Sequence, residues 1–433
     1  MAAWCRFAVN FHIGCSAALA AHLSQTDVKE HDMKTENTTS QQNGSLIYLL
    51  ALAAGLAVAN IYYNQPVLGL IAGELKGGDH VGLVATITQM GYTLGLLFLV
   101  PLCDTLNRKK LVLTLCALLV VSAALAALAP GMAVLMAASA GMGVAATITQ
   151  MVVPMAADLA REGERGKAVG IAFSGVLCGI LLARVVSGAV GQWLGWREAF
   201  WLACAFAVLL SALLAWRLPD LPRKSSLPYG RLLVSMLQLL RDYRALRYAS
   251  IIQACVFGAF SAFWSVLALY LQGPAYGLGA SVAGSFGIVG LVGVLAAQAG
   301  GRLTDRFGVR CGVLIGALTS IAAFGIMSFS GMTALVLGVI VLDFGVSIAQ
   351  VSNQSLILGL SESARGRVNT IYMTVFFLGG SLGSAAASQA WAAYRWPGVM
   401  LTGGAFALAG LFFHLLERRC NCPSARTPAQ ECC

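Results

Sequence analysis

A polar stripe interrupts one of the long apolar stretches of this chain. It begins at Asp343 and continues with Ser347, Gln350 and Gln354. At 100° per residue, the angular step of an α-helix, the last three positions fall within about 40° of Asp343, so one helix face carries all four side chains. A carboxylate beside a hydroxyl and two amides, on an otherwise apolar helix, predicts a cavity wall where a proton can be taken up and released.

Arg184 is the second charged residue that lies well inside an apolar stretch. We treat Asp343 and Arg184 as candidates for proton coupling, because charges inside a membrane are costly and usually functional. A carboxylate there can exchange a proton with water in one state and be displaced by a cation or a bound solute in another. Two alternatives stay open: the two residues form a static charge pair, or Arg184 pairs with Glu198.

Twelve apolar runs must position these side chains. Hydrophobic residues make up 58% of the chain and charged residues only 11%, against about 25% charged in an ordinary soluble domain. About 20 apolar residues cross a bilayer as a helix, so the composition predicts an all-α polytopic membrane protein with twelve transmembrane helices in a lipid bilayer. The runs start near Leu46, Val81, Leu111, Met132, Ala168, Arg197, Leu246, Gly279, Cys311, Met332, Val368 and Trp396.

The second half of the chain repeats the first. The register pairs Gln150 with Gln350 and Gly179 with Gly379. A repeat of six spans predicts two pseudo-symmetric six-helix bundles, with a binding site near the bilayer midplane between them. The predicted segments are a disordered leader at 1–44, a first bundle at 45–216, a cytoplasmic linker at 217–245, a second bundle at 246–416 and a cytoplasmic tail at 417–433.

Lysine and arginine side chains determine the predicted orientation. They concentrate in the even-numbered connections, whereas the odd-numbered connections carry only Lys76, Arg197 and Arg395. Basic loops stay on the cytoplasmic side, so both termini and the linker are expected in the cytoplasm. The net charge of +10 is thus spread over many loops instead of one basic face, and we expect no nucleic-acid partner.

Two related loops follow the second and the eighth run, at 100–110 and 301–310. Here the chain resembles the major facilitator superfamily, whose signature is G-x-x-x-D-R-x-G-R-R. The first loop departs from it at Val100, Thr105 and Asn107, where Gly, Arg and Gly are usual. The matching residues are Asp104, Arg108 and Lys109 in the first loop and Gly301, Asp305, Arg306, Gly308 and Arg310 in the second.

The resemblance implies the major facilitator fold and two functional roles. The loops are implied to form a charge network that helps hold the cytoplasmic side shut; anchors that only set the topology are the alternative. The helices formed by the first, fourth, seventh and tenth apolar runs are implied to line a central cavity. Its candidates are the stripe above with Asn60, Tyr63, Asn64, Gln150, Gln253 and Trp264. For each amide and tyrosine, hydrogen bonding that fixes helix packing is the alternative.

The fifth run is similar to the antiporter motif G-x8-G-x3-G-P-x2-G-G of the drug:proton antiporter branch. Gly170 and Gly179 have the required spacing, and Gly188 occupies the last glycine position. Ala183, Arg184 and Ser187 stand where Gly, Pro and Gly are usual. The replacement of proline by Arg184 is the main departure, because a buried cation cannot do what a proline does.

The function expected from these observations is transport of a small organic solute across the bacterial inner membrane by alternating access, as a monomer. Proton-coupled efflux is our first expectation and a proton-coupled uptake symporter the alternative; a membrane sensor that does not transport is a remote third. We find no nucleophile constellation, nucleotide-binding loop or metal-ligand spacing in the sequence, so no enzymatic activity, cofactor or metal is expected.

Overall fold

A computed structural model describes residues 44–75, 78–161, 163–220, 228–290, 306–361 and 364–420. In these ranges the regular structure is helical, as the sequence predicts. Nearly all of the predicted leader, the end of the tail, and part of the linker lie outside the described residues. So do Gly301 and Asp305 of the second loop.

The described residues of the first half form eight α-helices and two short 3₁₀ helices. The 3₁₀ helices are Gln65–Val67 and Gly78–His80. The α-helices are α1 (Gly44–Ala59), α2 (Leu68–Glu74), α3 (Leu83–Thr105), α4 (Arg108–Ala127), α5 (Met132–Ala146), α6 (Ile148–Leu159), α7 (Arg165–Trp193) and α8 (Trp196–Arg217).

A helix in the linker, α9 (Tyr229–Asp242), leads into the second half. Its helices are α10 (Arg244–Trp264), α11 (Leu267–Gln272), α12 (Ala280–Gly290), α13 (Val309–Met327), α14 (Met332–Leu358) and α15 (Arg365–Cys420).

Apolar helices long enough to cross a membrane dominate the described residues. Nine segments are long and apolar enough to cross, and α1 and α12 are shorter apolar helices. The Arg365–Glu417 segment has 53 residues, or roughly 80 Å of helix at 1.5 Å per residue, far more than one bilayer needs. It breaks at Arg395, where φ is 54° and ψ is −143°, and Pro397 follows. The segment therefore supplies two crossings.

The repeat is visible in how closely equivalent helices pack. A Cβ atom added to Gly179 of α7 would lie 2.5 Å from the Gly55 Cα of α1. In the second half, a Cβ added to Gly379 of α15 would lie 2.5 Å from the Ala254 carbonyl carbon of α10. Apolar helices associate in lipid through such small-residue contacts. Equivalent glycines therefore make equivalent close helix contacts in the two halves.

The linker contains the helix α9. We call the membrane face that carries α9, the start of α1 and the end of α15 the linker side, and the opposite face the far side. Helix α9 buries Leu232 and Met236. The Tyr229 hydroxyl donates to the Phe98 carbonyl at 2.8 Å, and Arg367 donates to the Ser235 hydroxyl at 2.9 Å. The linker helix thus contacts both halves.

Candidate functional site

A central cavity of about 240 Å³ lies between the two halves. A second cavity of about 420 Å³ lies nearer the linker side, between the end of α3 and the start of α15. Gln150 and Met373 line both cavities, so the two spaces are neighbours along one path. The central cavity therefore approaches the linker side of the molecule.

The polar stripe of α14 lies on the wall of the central cavity. Asp343, Ser347, Gln350 and Gln354 all line it. Asp343 is only 6% exposed. The period of one α-helix brings these four side chains to the same face, as the sequence predicts, because α14 is continuous over their whole range.

Arg184 lines the same cavity from α7. Its guanidinium carbon lies 3.8 Å from the centroid of the Trp264 ring and 4.8 Å from that of Tyr62. Its Nε donates to the Gln65 side-chain oxygen at 3.0 Å. These partners place the guanidinium at the centre of the protein, away from the Glu198 alternative at the start of α8.

Trp264 connects the two charged residues. Its ring lies beneath the Arg184 guanidinium, and its indole N–H donates to Asp343 Oδ1 at 3.4 Å. No direct ion pair joins Arg184 and Asp343, both of which lie in the described part of the chain. Small residues of α12 leave room for both groups: a Cβ on Gly290 would lie 2.6 Å from Asp343 Oδ2, and one on Gly287 would lie 3.2 Å from Arg184 Cβ.

Aromatic rings form much of the remaining wall. Phe257 stacks on Phe376 with ring centroids 3.9 Å apart, and Tyr92 meets the edge of Phe377 at 4.4 Å. Phe260 lines the cavity beside them. An apolar wall with a few convergent polar groups is the usual composition of a small-molecule site, so the cavity suits a solute with an apolar body and a polar group.

Among the other predicted cavity residues, Gln150 lies on the wall and donates to the Tyr92 hydroxyl at 3.2 Å. Trp264 is not itself on the wall but contacts two residues that are, Arg184 and Asp343. Asn60 donates back to the Leu56 carbonyl of its own helix at 2.7 Å. Asn64 donates to the Thr88 hydroxyl at 2.8 Å, and Gln253 accepts from Asn353 at 3.0 Å. Asn64 and Gln253 thus make the hydrogen bonds between distant segments that were the alternative, whereas Asn60 bonds within its own helix.

Asn60 and Asn64 lie where the helix of the first membrane span is interrupted. The chain leaves α1 after Ala59 and passes through turns to the Gln65–Val67 helix. The helix therefore does not continue through residues 60–64. Tyr62 lines the cavity there, whereas Tyr63 is buried but not on the wall. The missed aromatic residues Phe257 and Phe260 do have a sequence signal, since with Trp264 they follow the i, i+3, i+7 spacing of one helix face.

The first signature loop contains a short ion pair within the first half. Arg108 Nη1 lies 2.7 Å from Asp158 Oδ2, joining the start of α4 to the end of α6. Asn107 caps α4 by accepting from the Lys110 N–H at 3.0 Å, so the residue that replaces the usual glycine has a local role. Asp104 and Arg108 line the cavity on the linker side; Lys109 is half-buried.

The described part of the second loop begins at Arg306. Arg306 and Arg310 are exposed near the start of α13. Gly308 has a φ of 83°, a conformation that favours glycine. The backbone conformation therefore explains the glycine at this position of the signature.

We expect Asp158→Asn to destabilise the protein more than Arg108→Gln does. The Arg108 side chain is 5% exposed and the Asp158 side chain 29% exposed. Removal of the carboxylate leaves a buried cation, at a cost of about 1–3 kcal/mol, below the range for a fully buried pair. Removal of the cation leaves a carboxylate that water reaches. Thermal unfolding in detergent measures both, with exposed Asp242→Asn as control; equal melting temperatures for all four proteins would contradict the prediction.

Apolar membrane-spanning helices in two repeated halves, with a central cavity between them, are typical of a membrane carrier. The sequence profile of the Major Facilitator Superfamily matches residues 50–384, with a second match over 294–430. The chain belongs to this superfamily. It is a secondary transporter and not an enzyme.

Relatives and solved structures agree with this membership. The chain is 35% identical to the uncharacterised transporter YgaY of Escherichia coli O157:H7, over 85% of this chain and 94% of that protein. It is 34% identical to the probable transporter SCO4007 of Streptomyces coelicolor, over 84% and 85%.

Two solved structures share the fold. The first is a bacterial homologue of the human lysosomal transporter Spinster in an inward-facing, unoccupied conformation. It superposes with a TM-score of 0.71 at 16% identity, over 87% of this chain and 97% of that one. The nucleoside transporter NupG superposes with a TM-score of 0.70 at 13% identity, over 86% and 99%.

Proposed function

We propose that the protein moves a small organic solute across a bacterial inner membrane by alternating access, coupled to protons through Asp343. The observation that carries the proposal is the position of Asp343 on the wall of the central cavity, at the head of the polar stripe of α14. A carboxylate there is reached by a solute and by water that enters with it. Its charge state then depends on what occupies the cavity.

Contacts between the halves support alternating access. On the far side, Gln272 of α11 donates to the Pro66 carbonyl at 2.9 Å, and Thr86 of α3 lies 2.8 Å from the Ser384 hydroxyl of α15. The cavities lie toward the linker side, where the basic loops favour a cytoplasmic location. We therefore propose that this conformation is closed to the outside and accessible from the cytoplasm, with both termini cytoplasmic and the protein acting as a monomer.

Export in exchange for protons is the first direction that we propose. The glycine spacing of α7, which is similar to that of the drug:proton antiporter branch, supports it. Gly179 is packed against α1, and Gly188 against α12. Uptake by symport is the second candidate, and Arg184 favours it. When Asp343 is protonated, the net charge of the cavity is positive because Arg184 stays charged. A proton and an anionic solute would therefore bind together.

A proteoliposome experiment tests coupling and separates the two directions. Compounds that raise the melting temperature of the purified protein are added outside liposomes that contain a pH-sensitive dye, with equal pH on both sides. An antiporter makes the lumen more alkaline as the solute enters, because protons leave. A symporter makes it more acidic. Entry of labelled solute with no change in lumen pH would refute proton coupling.

A further inference from the structure

The Arg184 guanidinium is held in place, but not all of its N–H donors have a hydrogen-bond acceptor. The residue is 4% exposed, and Gln65 accepts from its Nε. Its Nη2 atom is buried and has no hydrogen-bond acceptor among the described residues. A guanidinium has five N–H donors and cannot lose its charge in proteins, and a buried donor without a partner is costly. The Arg184 guanidinium on the cavity wall can therefore donate a further hydrogen bond to an acceptor group of a ligand.

The neighbours of Arg184 fix its guanidinium in a position where it can bind a planar anionic group. Tyr62 and Gln65 position the guanidinium from the first half, and Trp264 supports its face from the second. The carboxylate in the same cavity does not neutralise it directly, because Asp343 accepts from the Trp264 indole and makes no ion pair with Arg184. Arginine binds carboxylates and phosphates through parallel N–H donors.

We propose that Arg184 binds the anionic group of the transported solute, and that this solute is an organic anion with an apolar or aromatic body. This rests on the proposed role of the central cavity as the transport site. The anionic group lies at Nη2, and the body packs against the Phe257, Phe260 and Phe376 rings. A cationic solute at Asp343 would meet repulsion from Arg184 in the same small cavity, and a neutral solute would leave the guanidinium unsatisfied.

The charge balance of the cavity adds a second expectation. With Asp343 ionised, the two charged residues sum to zero; with Asp343 neutral, they sum to +1. An organic anion should bind more tightly in the second case, so this inference favours uptake by symport over export in exchange for protons. The Asp343→Asn substitution holds the cavity in that condition, so it should strengthen anion binding, whereas loss of the Arg184 charge should weaken it.

Binding of three matched probes to the purified full chain tests the inference. The probes are 1-naphthoate, the neutral 1-naphthalenemethanol and the cationic 1-naphthylmethylammonium, which share a ring system and differ in charge. Titration calorimetry in detergent at neutral pH should give at least about tenfold tighter binding for naphthoate than for the alcohol, since charge-assisted hydrogen bonds are the strong ones. Binding of the cation should be weakest.

Variants assign the preference to Arg184. Arg184→Gln should weaken naphthoate binding about tenfold or more, while alcohol binding changes less than about twofold; Arg184→Lys should fall between. Asp343→Asn should tighten naphthoate binding. The control is Arg197→Gln, which removes a cation whose guanidinium already lies 3.1 Å from Glu74 at the far side, and it should leave all three affinities unchanged.

Several outcomes would overturn the inference. They are equal affinities of the wild type for the three probes, no binding of naphthoate, a preference for the cation, or an Arg184→Gln protein that loses naphthoate and alcohol binding equally. If Arg184→Gln does not fold, the wild-type probe comparison and Asp343→Asn still decide. Binding needs no proton gradient, so a protein that prefers naphthoate but moves no protons would refute the coupling and leave this inference standing.

Discussion

Asp343→Asn is expected to abolish proton-driven transport while preserving solute exchange. Asparagine has nearly the same shape but cannot ionise, so the proton-carrying group is lost while the cavity wall stays intact. In proteoliposomes, transport against a gradient should fall to the level of empty vesicles. Exchange of labelled for unlabelled solute, without a proton gradient, should remain within about twofold of wild type, because exchange requires only binding and the movement of the halves.

The matched control for this substitution is Asp242→Asn on α9. It removes an exposed carboxylate from the linker side and should leave both assays unchanged. The stability of the Asp343→Asn protein should be measured alongside, since Asp343 accepts from Trp264. Accumulation or efflux driven by a pH gradient in Asp343→Asn would remove this residue from the coupling mechanism, and the charge would then have only a structural role.

Gly188→Val is expected to prevent closure of the far side and to reduce transport more than about tenfold. A Cβ atom on Gly188 of α7 would lie 2.6 Å from the Ala280 carbonyl oxygen and 3.0 Å from the Gly284 Cα of α12. These neighbours are backbone atoms of the other half, so they cannot turn aside as a side chain can. The two halves must separate on the far side, and the protein then loses one of the two states that transport requires.

Cysteine accessibility measures this separation. Thr86 is buried between the halves on the far side, next to Ser384. In a Thr86→Cys background, a membrane-impermeant maleimide added to the far side should react slowly with the parent and at least about tenfold faster with Gly188→Val. Gly170→Val is the control on the same helix, because a Cβ at Gly170 has no neighbour within 4 Å. Equal labelling rates in the three proteins would show that the Gly188 contact does not hold the far side closed.

Regular helices made much of this fold predictable from the sequence. The start of α14 at Met332 coincides with the predicted run, and most other spans start within three residues of the prediction. The polar stripe from Asp343 to Gln354 reached the cavity because an unbroken helix preserves its periodicity. The resemblance placed Asn60 and Asn64 on the wall as part of the first span, and the sequence does not reveal that the helix of this span ends at Ala59.

Contacts between distant segments were beyond the reach of sequence patterns. Arg184 and Trp264 lie far apart in the chain, and only the packing of α7 against the second half brings the guanidinium onto the indole ring. Periodicity also could not predict that Trp264 would stand between Arg184 and Asp343. The same limit applies to the linker, where a helix of 14 residues buries one face against the two halves although its flanks are polar.

The stacking of Arg184 on Trp264 has a consequence for the two faces of the membrane. The arginine belongs to α7 of the first half and the ring to α10 of the second, so any rotation that opens the far side draws the cation away from the indole. The guanidinium then gains access to water, and its attraction for an anion falls as the local dielectric constant rises. The half-saturating solute concentration, measured in oriented vesicles, should therefore be higher on the far face than on the linker face.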